Sequence, residues 1–175
     1  MKRRRPLASG SVVLELGCGR GAGAVLIRKI FQPAVLQAMD LDLQMIRRGR
    51  AYISKGEREE ISFYVADVMR IPARSGSLDA VFGFGVLHHV PDWESALKEI
   101  VRVLKPGGVY YLEEIYPSLY QNFITQYILL HPTSNRFGSS DLKRRLNAAG
   151  LNLEHVLEHS KVGILGILTK RFDSK

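Results

Sequence analysis

The sequence holds a single cysteine, Cys18, which excludes an intramolecular disulfide and a multi-cysteine metal site. Its five histidines, at positions 88, 89, 131, 155 and 159, fall into no spacing of the His-Glu-x-x-His kind. His155 and His159 share one side of a stretch that alternates as a strand, where a solvated face is the better reading, so no metal is expected. No apolar run approaches the roughly 20 residues that cross a bilayer. Lys2 to Arg5 precede only a short segment interrupted by Pro6 and Gly10, not a secretory apolar core, and a cytoplasmic location is expected. Acidic residues are the minority: 17 Asp and Glu against 25 Lys and Arg leave a formal net charge of +8. That excess permits a polyanionic partner without selecting one. Part of it sits in Lys2, Arg3, Arg4 and Arg5, expected as an exposed tail, and part in Lys143, Arg144 and Arg145, expected on the wet side of a helix.

What is present is one core's worth of chain. At 175 residues, 46% hydrophobic and 24% charged, it suits one globular domain and is too short for a nucleotide-binding domain plus a separate catalytic one. Apolar runs and helical stretches alternate. Strands are expected at 12–16, 34–39, 61–66, 78–83 and 109–113, with helices at 22–31, 43–54 and 93–104 between them and a Lys105-Pro106-Gly107-Gly108 turn before the fifth strand. A helix at 119–130, another running to Ala149 from a Ser139 or Ser140 cap and stopped by Gly150, and a hairpin from 151–157 and 162–169 complete the pattern. The rhythm predicts an α/β fold: a Rossmann-like, seven-stranded, mostly parallel sheet with a C-terminal antiparallel hairpin. The expected division is a basic tail at 1–11, a single domain at 12–170 and a short tail at 171–175.

Three strand ends carry complementary chemistry. Glu15-Leu16-Gly17-Cys18-Gly19-Arg20-Gly21-Ala22-Gly23 follows the first strand, and glycines there let a ligand lie against the main chain at a helix amino terminus. Gly17, Gly19 and Ala22 also satisfy the loose dinucleotide pattern G-x-G-x-x-A. Asp40 ends the second strand, 23 residues beyond Gly17, where a carboxylate accepts from both ribose hydroxyls; Asp42 is better placed to cap the next helix. Asp67 ends the third strand and can accept from an adenine amino group while the Val68 amide meets a ring nitrogen, or it caps the loop that follows. These residues point to an adenosine-containing cofactor and leave both NAD and S-adenosylmethionine open.

Val13-Leu14-Glu15-Leu16-Gly17-Cys18-Gly19-Arg20-Gly21 resembles motif I of class I S-adenosylmethionine-dependent methyltransferases, with Asp40 matching their ribose acid and Ala66-Asp67-Val68 their adenine contact. Ser77-Leu78-Asp79-Ala80-Val81 and Val86-Leu87-His88-His89-Val90 match the strand-four region. The segment from Leu97 through Glu99, Ile100, Arg102, Val103 and Leu104 to Lys105-Pro106-Gly107-Gly108 is similar to the small-molecule branch, methyltransferase domain 11-like, that includes ubiquinone and menaquinone biosynthesis enzymes. The resemblance covers residues 12 to 115. It implies S-adenosylmethionine as cofactor, held by Glu15, Gly17, Cys18, Gly19, Asp40, Leu41, Asp67, Val68 and Gly83, with Glu15 and Gly17 at the methionine end and 83–85 lining the transfer side. The chain departs from that branch in having 11 residues before Val12, where relatives carry covering helices, and in Arg20, which either adds charge beside the cofactor or reaches solvent.

On that reading His88 or His89 could be the base for an acceptor that must lose a proton, with His88 the candidate and His89 beside the substrate, or one or both, His89 more readily, brace the strand-four loop instead. One of Glu113 and Glu114 would orient the acceptor, or they serve as a helix cap or loop salt bridge, and Tyr116, Tyr120, Phe123 and Tyr127 form either an aromatic acceptor wall or a helix core face. Cys18 leaves no second cysteine for the covalent route of cytosine C5 methylation, and Gly83-Phe84-Gly85-Val86 lacks the Asn/Asp-Pro-Pro-Tyr/Phe pattern of many exocyclic-amine nucleic-acid enzymes. Both absences argue against DNA. A small-molecule methyl acceptor is the expectation. RNA or protein acceptors, a non-catalytic S-adenosylmethionine-binding partner subunit and an NAD-dependent oxidoreductase are the alternatives.

Overall fold

The computed structural model describes residues 5–120 and 136–172. Five parallel strands, β1 (Val12–Leu16), β2 (Val35–Asp40), β3 (Ser62–Val65), β4 (Leu78–Phe84) and β5 (Leu104–Ile115), meet an antiparallel hairpin of β6 (Leu151–His159) and β7 (Gly163–Lys170) in one seven-stranded sheet of order β3-β2-β1-β4-β5-β7-β6. The helices are α1 (Ala22–Phe31), α2 (Leu43–Tyr52), α3 (Lys55–Glu59), α4 (Trp93–Val103), α5 (Pro117–Tyr120) and α6 (Ser139–Ala148). The order reverses between β1 and β4, and in such sheets ligands bind outside the carboxyl strand ends at that switch point. No helix among the described residues is long and apolar enough to cross a membrane.

Alternate residues of each strand feed two cores. Leu14, Leu16, Val81 and Leu112 pack beneath Trp93, Leu97 and Ile100 of α4, whereas Val13, Ala38, Phe82 and Tyr111 pack beneath Ala24 and Ile27 of α1. Both faces of the inner strands are thereby buried, which is why β1 and β4 read as nearly continuous apolar runs.

Several expectations are corrected. The second helix ends at Tyr52, and Ser54 caps the separate helix α3 through a capping box with Glu57. The Lys105-Pro106-Gly107-Gly108 segment lies within β5: pairing jumps from Leu78 with Leu104 to Ala80 with Val109, and Gly107, at φ 74°, sits in the resulting bulge. Ser139 does not cap α6; Gly138 holds the cap position, and the Ser139 hydroxyl instead bonds to the side chains of Tyr116 and Glu158. Arg5 is docked rather than loose, since its carbonyl accepts from the Tyr111 hydroxyl at 2.6 Å and its guanidinium lies 3.6 Å from Glu154. Lys2 to Arg4, Phe123, Tyr127 and the side chain of Tyr120 lie outside the described residues.

Candidate cofactor and acceptor site

The carboxyl ends of β1, β2 and β4 and the turn after β3 open onto one cavity of about 400 Å³, whose lining includes Gly17, Gly19, Asp40, Leu41, Asp67, Val68, Gly85 and His89. The glycine loop makes this approach possible. Gly21 turns into α1 at φ 86°, and a side chain there would run into Ile53 and Phe63. Cys18 donates its amide to the Met39 carbonyl at 2.9 Å, tying the loop to the end of β2.

Asp40 organises the polar wall. Its Oδ2 accepts from the Gly19 amide at 2.7 Å and its Oδ1 from the Asp42 amide at 2.9 Å, so each oxygen retains a lone pair. Asp42 caps α2 by accepting from the Gln44 amide at 2.7 Å. Asp67 caps the short 3-10 turn at 68–70 through Oδ1 and the Met69 amide, 2.8 Å apart, and its other oxygen has no protein donor among the described residues. Between these carboxylates Leu41, 70% exposed, and Val68 provide apolar surface to the cavity.

Glu15 lies under the start of α1, only 3% exposed, and its Oε2 has no hydrogen-bond partner. Burial pushes its carboxyl up to about 8, with the Ala24 amide pulling it down and the Asp40 charge adding to the rise. An orphaned buried carboxylate oxygen beside a ligand loop is the kind of group a cationic ligand satisfies. Cys18 packs with Val13, Ala24 and Ile27 and does not line the cavity. Its thiol is pushed up to about 12, first by burial and then by the charges of Glu15 and Asp40, which keeps it protonated and non-nucleophilic.

The loop after β4 differs from the expectation built on it. His88, the expected base, is buried, with Nδ1 2.7 Å from Oε2 of Glu114, and it does not line the cavity. That carboxylate holds the imidazole proton on Nδ1. His89 is exposed and does line the cavity, its ring centroid 4.2 Å from that of His88. The bracing position thus belongs to His88 and the cavity position to His89. Glu114, 1% exposed, also accepts from the amides of Val86 at 3.0 Å, Leu87 at 2.7 Å and His88 at 3.3 Å. Its saturated carboxylate clamps the loop and leaves no lone pair for an acceptor, which is the loop-bracing alternative for this pair of acids rather than the acceptor-orienting one. Glu113 is exposed on the opposite face of β5.

Two further expected contacts lie elsewhere. Gly83 is inside the sheet, where a Cβ would stand 2.8 Å from the Tyr110 hydroxyl, and it is Gly85 that faces the cavity. Tyr116 is buried in the core, donating its hydroxyl to Glu158 at 2.6 Å, so it is not part of an exposed acceptor wall.

Residues 14–112 match the family described as methyltransferase domain. The chain belongs to that family. Sterol 24-C-methyltransferase erg6 of Aspergillus fumigatus is 38% identical over 104 residues, which are 59% of this chain and 28% of the fungal protein. Demethylmenaquinone methyltransferase of Lactococcus lactis subsp. lactis is 34% identical over 122 residues, 68% of this chain and 48% of the bacterial one. The chain therefore spans less than half the length of either relative. The S-adenosylmethionine-dependent methyltransferase from Mesorhizobium loti shares the fold with a TM-score of 0.76 at 17% identity, over 97% of this chain and 95% of that one.

The cofactor of this methyltransferase domain is S-adenosylmethionine, and the donor set fits it. Asp40 and Asp67 keep acceptor capacity at the cavity, apolar Leu41 and Val68 suit a flat ring, and Glu15 carries an unsatisfied oxygen near the glycine loop.

Proposed function

We propose that this domain transfers the methyl group of S-adenosylmethionine directly to a small-molecule acceptor. The observation that carries the reading is the convergence of the glycine loop, Asp40, Leu41 and Asp67 on one cavity at the switch point of the sheet. Asp40 accepts from the ribose hydroxyls on its remaining lone pairs, Asp67 from the adenine amino group, and the Val68 amide meets a ring nitrogen. Gly17 and Gly19 let the methionine portion lie against the backbone, with the Glu15 carboxyl, whose Oε2 has no protein partner, beneath it. The bound sulfonium supplies an electrophilic methyl carbon. The protein's part is to align the acceptor opposite the sulfur and keep water away, which accounts for much of the acceleration available to such a displacement.

His89 is the side chain from the strand-four loop that meets the acceptor and takes its proton when a hydroxyl or activated carbon is methylated. Glu114 and His88 hold that loop still. A small molecule is favoured because the two relatives are named for a sterol and for demethylmenaquinone and because the cavity is mostly apolar. Quinone precursors are the first acceptors to try, given the resemblance to that branch.

Calorimetry with S-adenosylmethionine, S-adenosylhomocysteine and NAD tests the cofactor, and saturable NAD binding without the other two overturns the reading. A methyl-transfer screen over quinone precursors, other metabolites, RNA and protein tests the acceptor. Turnover on a small molecule is expected; activity on RNA or protein alone, or only after adding a second protein, rejects it.

A further inference from the structure

Glu15 stands on the α1 side of the sheet, in register with Ala38 on β2 and Phe82 on β4, in a core that also holds Val13, Ala24 and Ile27. Helix α1 begins directly over it. A Cβ on Gly23 would collide with Oε1, so only glycine lets the backbone pass there. The Ala24 amide donates to the carboxyl, and Oε2 has no partner. The loop that follows lines the cofactor cavity through Gly17 and Gly19.

The titratable groups facing Glu15 are Asp40, at the end of β2, and Cys18, in the loop. Strand β4 presents Phe82 and Phe84, and α1 keeps its cations, Arg28 and Lys29, in ion pairs with Glu60 and Glu57. No cation pairs with Glu15 among the described residues. Two acids thus lie together beside one loop, unequally provided for. Asp40 accepts from two backbone amides, of Gly19 and Asp42, which stabilise its charge, whereas Glu15 has the Ala24 amide and is 3% exposed. The proton of such a pair rests on the member with fewer donors and less water. Burial pushes the Glu15 carboxyl up to about 8, in line with that geometry.

We propose that Glu15 is an uncharged carboxylic acid in the cofactor-free protein and that binding of the cofactor's α-ammonium expels its proton to solvent, leaving carboxylate and ammonium paired. The inference rests on the methionine portion lying against Gly17 and Gly19. It makes Glu15 a specificity determinant: ligands that carry the amino-acid chain are selected over nucleosides that lack it, more strongly as pH rises toward 8. One O–H bond breaks at Glu15 and the proton goes to the buffer. S-adenosylmethionine and S-adenosylhomocysteine carry the same ammonium, so methyl transfer itself leaves Glu15 ionised. At about pH 6.5 an ordinary α-amino group, which titrates near about 7.7 to 8.0, is already protonated, so the released proton is the protein's.

The test is calorimetry of the protein in buffers of differing ionisation enthalpy, titrated with S-adenosylhomocysteine and with 5′-methylthioadenosine, which keeps the nucleoside and lacks the amino-acid chain. S-adenosylhomocysteine should release about one proton per molecule bound at about pH 6.5, and its affinity should rise about tenfold from about pH 5.5 to 6.5. Methylthioadenosine should release none and show no such rise. Glu15→Gln should abolish the release and cut the preference for S-adenosylhomocysteine over methylthioadenosine about tenfold at about pH 8, because a charge-assisted contact is lost. That variant retains His89, so a proton released by the histidine would survive the substitution. If it does not fold, the two ligands on the wild-type protein still decide. Binding of S-adenosylhomocysteine without proton release, equal release by both ligands, or release that persists in Glu15→Gln overturns this inference and leaves the cofactor reading intact. Failure of S-adenosylhomocysteine to bind overturns both.

Discussion

Glu15 in the parallel half and Glu114 on β5 are both almost completely buried but are satisfied very differently, and the half-buried acids around them follow the same division. Glu114 is saturated by three backbone amides and an imidazole, and Glu158 by Tyr116, Ser139 and Lys143. In the parallel half Asp40 and Asp67 keep open lone pairs and Glu15 keeps an oxygen with no partner at all. Buried polar groups are normally matched. Saturation thus marks the carboxylates that hold the scaffold, and incompleteness marks those that await a ligand.

The comparison is broken hardest at Glu114. Glu114→Ala removes the acceptor from three buried amides and the His88 ring and should cost about 3 to 5 kcal/mol of stability in urea unfolding; a loss under about 1 kcal/mol would show that the clamp is dispensable. Glu15 tests the other side. Burial raises its folded carboxyl from the ordinary value to about 8, so its contribution is fully present below about 4.5 and is lost as pH rises through about 8. Cofactor-free protein should lose up to ~5 kcal/mol over that interval from this group. Glu15→Gln should flatten the dependence; superimposable wild-type and variant profiles would mean the carboxylate is not uncompensated.

Asp40→Ala should weaken S-adenosylhomocysteine binding by about 1.5 to 3 kcal/mol in calorimetry, the worth of charge-assisted hydrogen bonds. An unchanged dissociation constant in a folded variant removes Asp40 from the ribose site. Tyr116→Phe deletes only the hydroxyl held by Glu158 and should cost about 1.5 kcal/mol of stability with cofactor affinity unchanged. A fall in acceptor turnover beyond that stability loss would restore the aromatic-wall reading. His89→Ala sharpens the contrast between adjacent histidines: being exposed, His89 should change stability by no more than about 0.5 kcal/mol. Thermal unfolding of His88→Ala alongside it should show the larger loss, and the reverse order would return the bracing role to His89.

Much of the fold is written locally. The run at Val12–Leu16, the glycines at 17, 19, 21 and 23 and the acids at strand ends are signals contained within a few residues, and β1 and α1 occur where those signals place them. The order of motifs likewise determined that Asp40 and Asp67 end neighbouring parallel strands, hence one sheet edge. What tertiary structure decided is phase. Tyr110 and Tyr111 are both buried because the sheet is covered on both faces, so the apolar pattern of β5 does not reveal which of Glu113 and Glu114 turns inward. The pairing of Glu113 with Phe84 and Leu165 settles it, turning Glu114 under the strand-four loop and thereby deciding which histidine is buried. The bulge at Gly107, the loss of Ser139 as a cap and the burial of Tyr116 have the same origin: each depends on a partner distant in sequence, and a strand's two-residue period carries no record of its register.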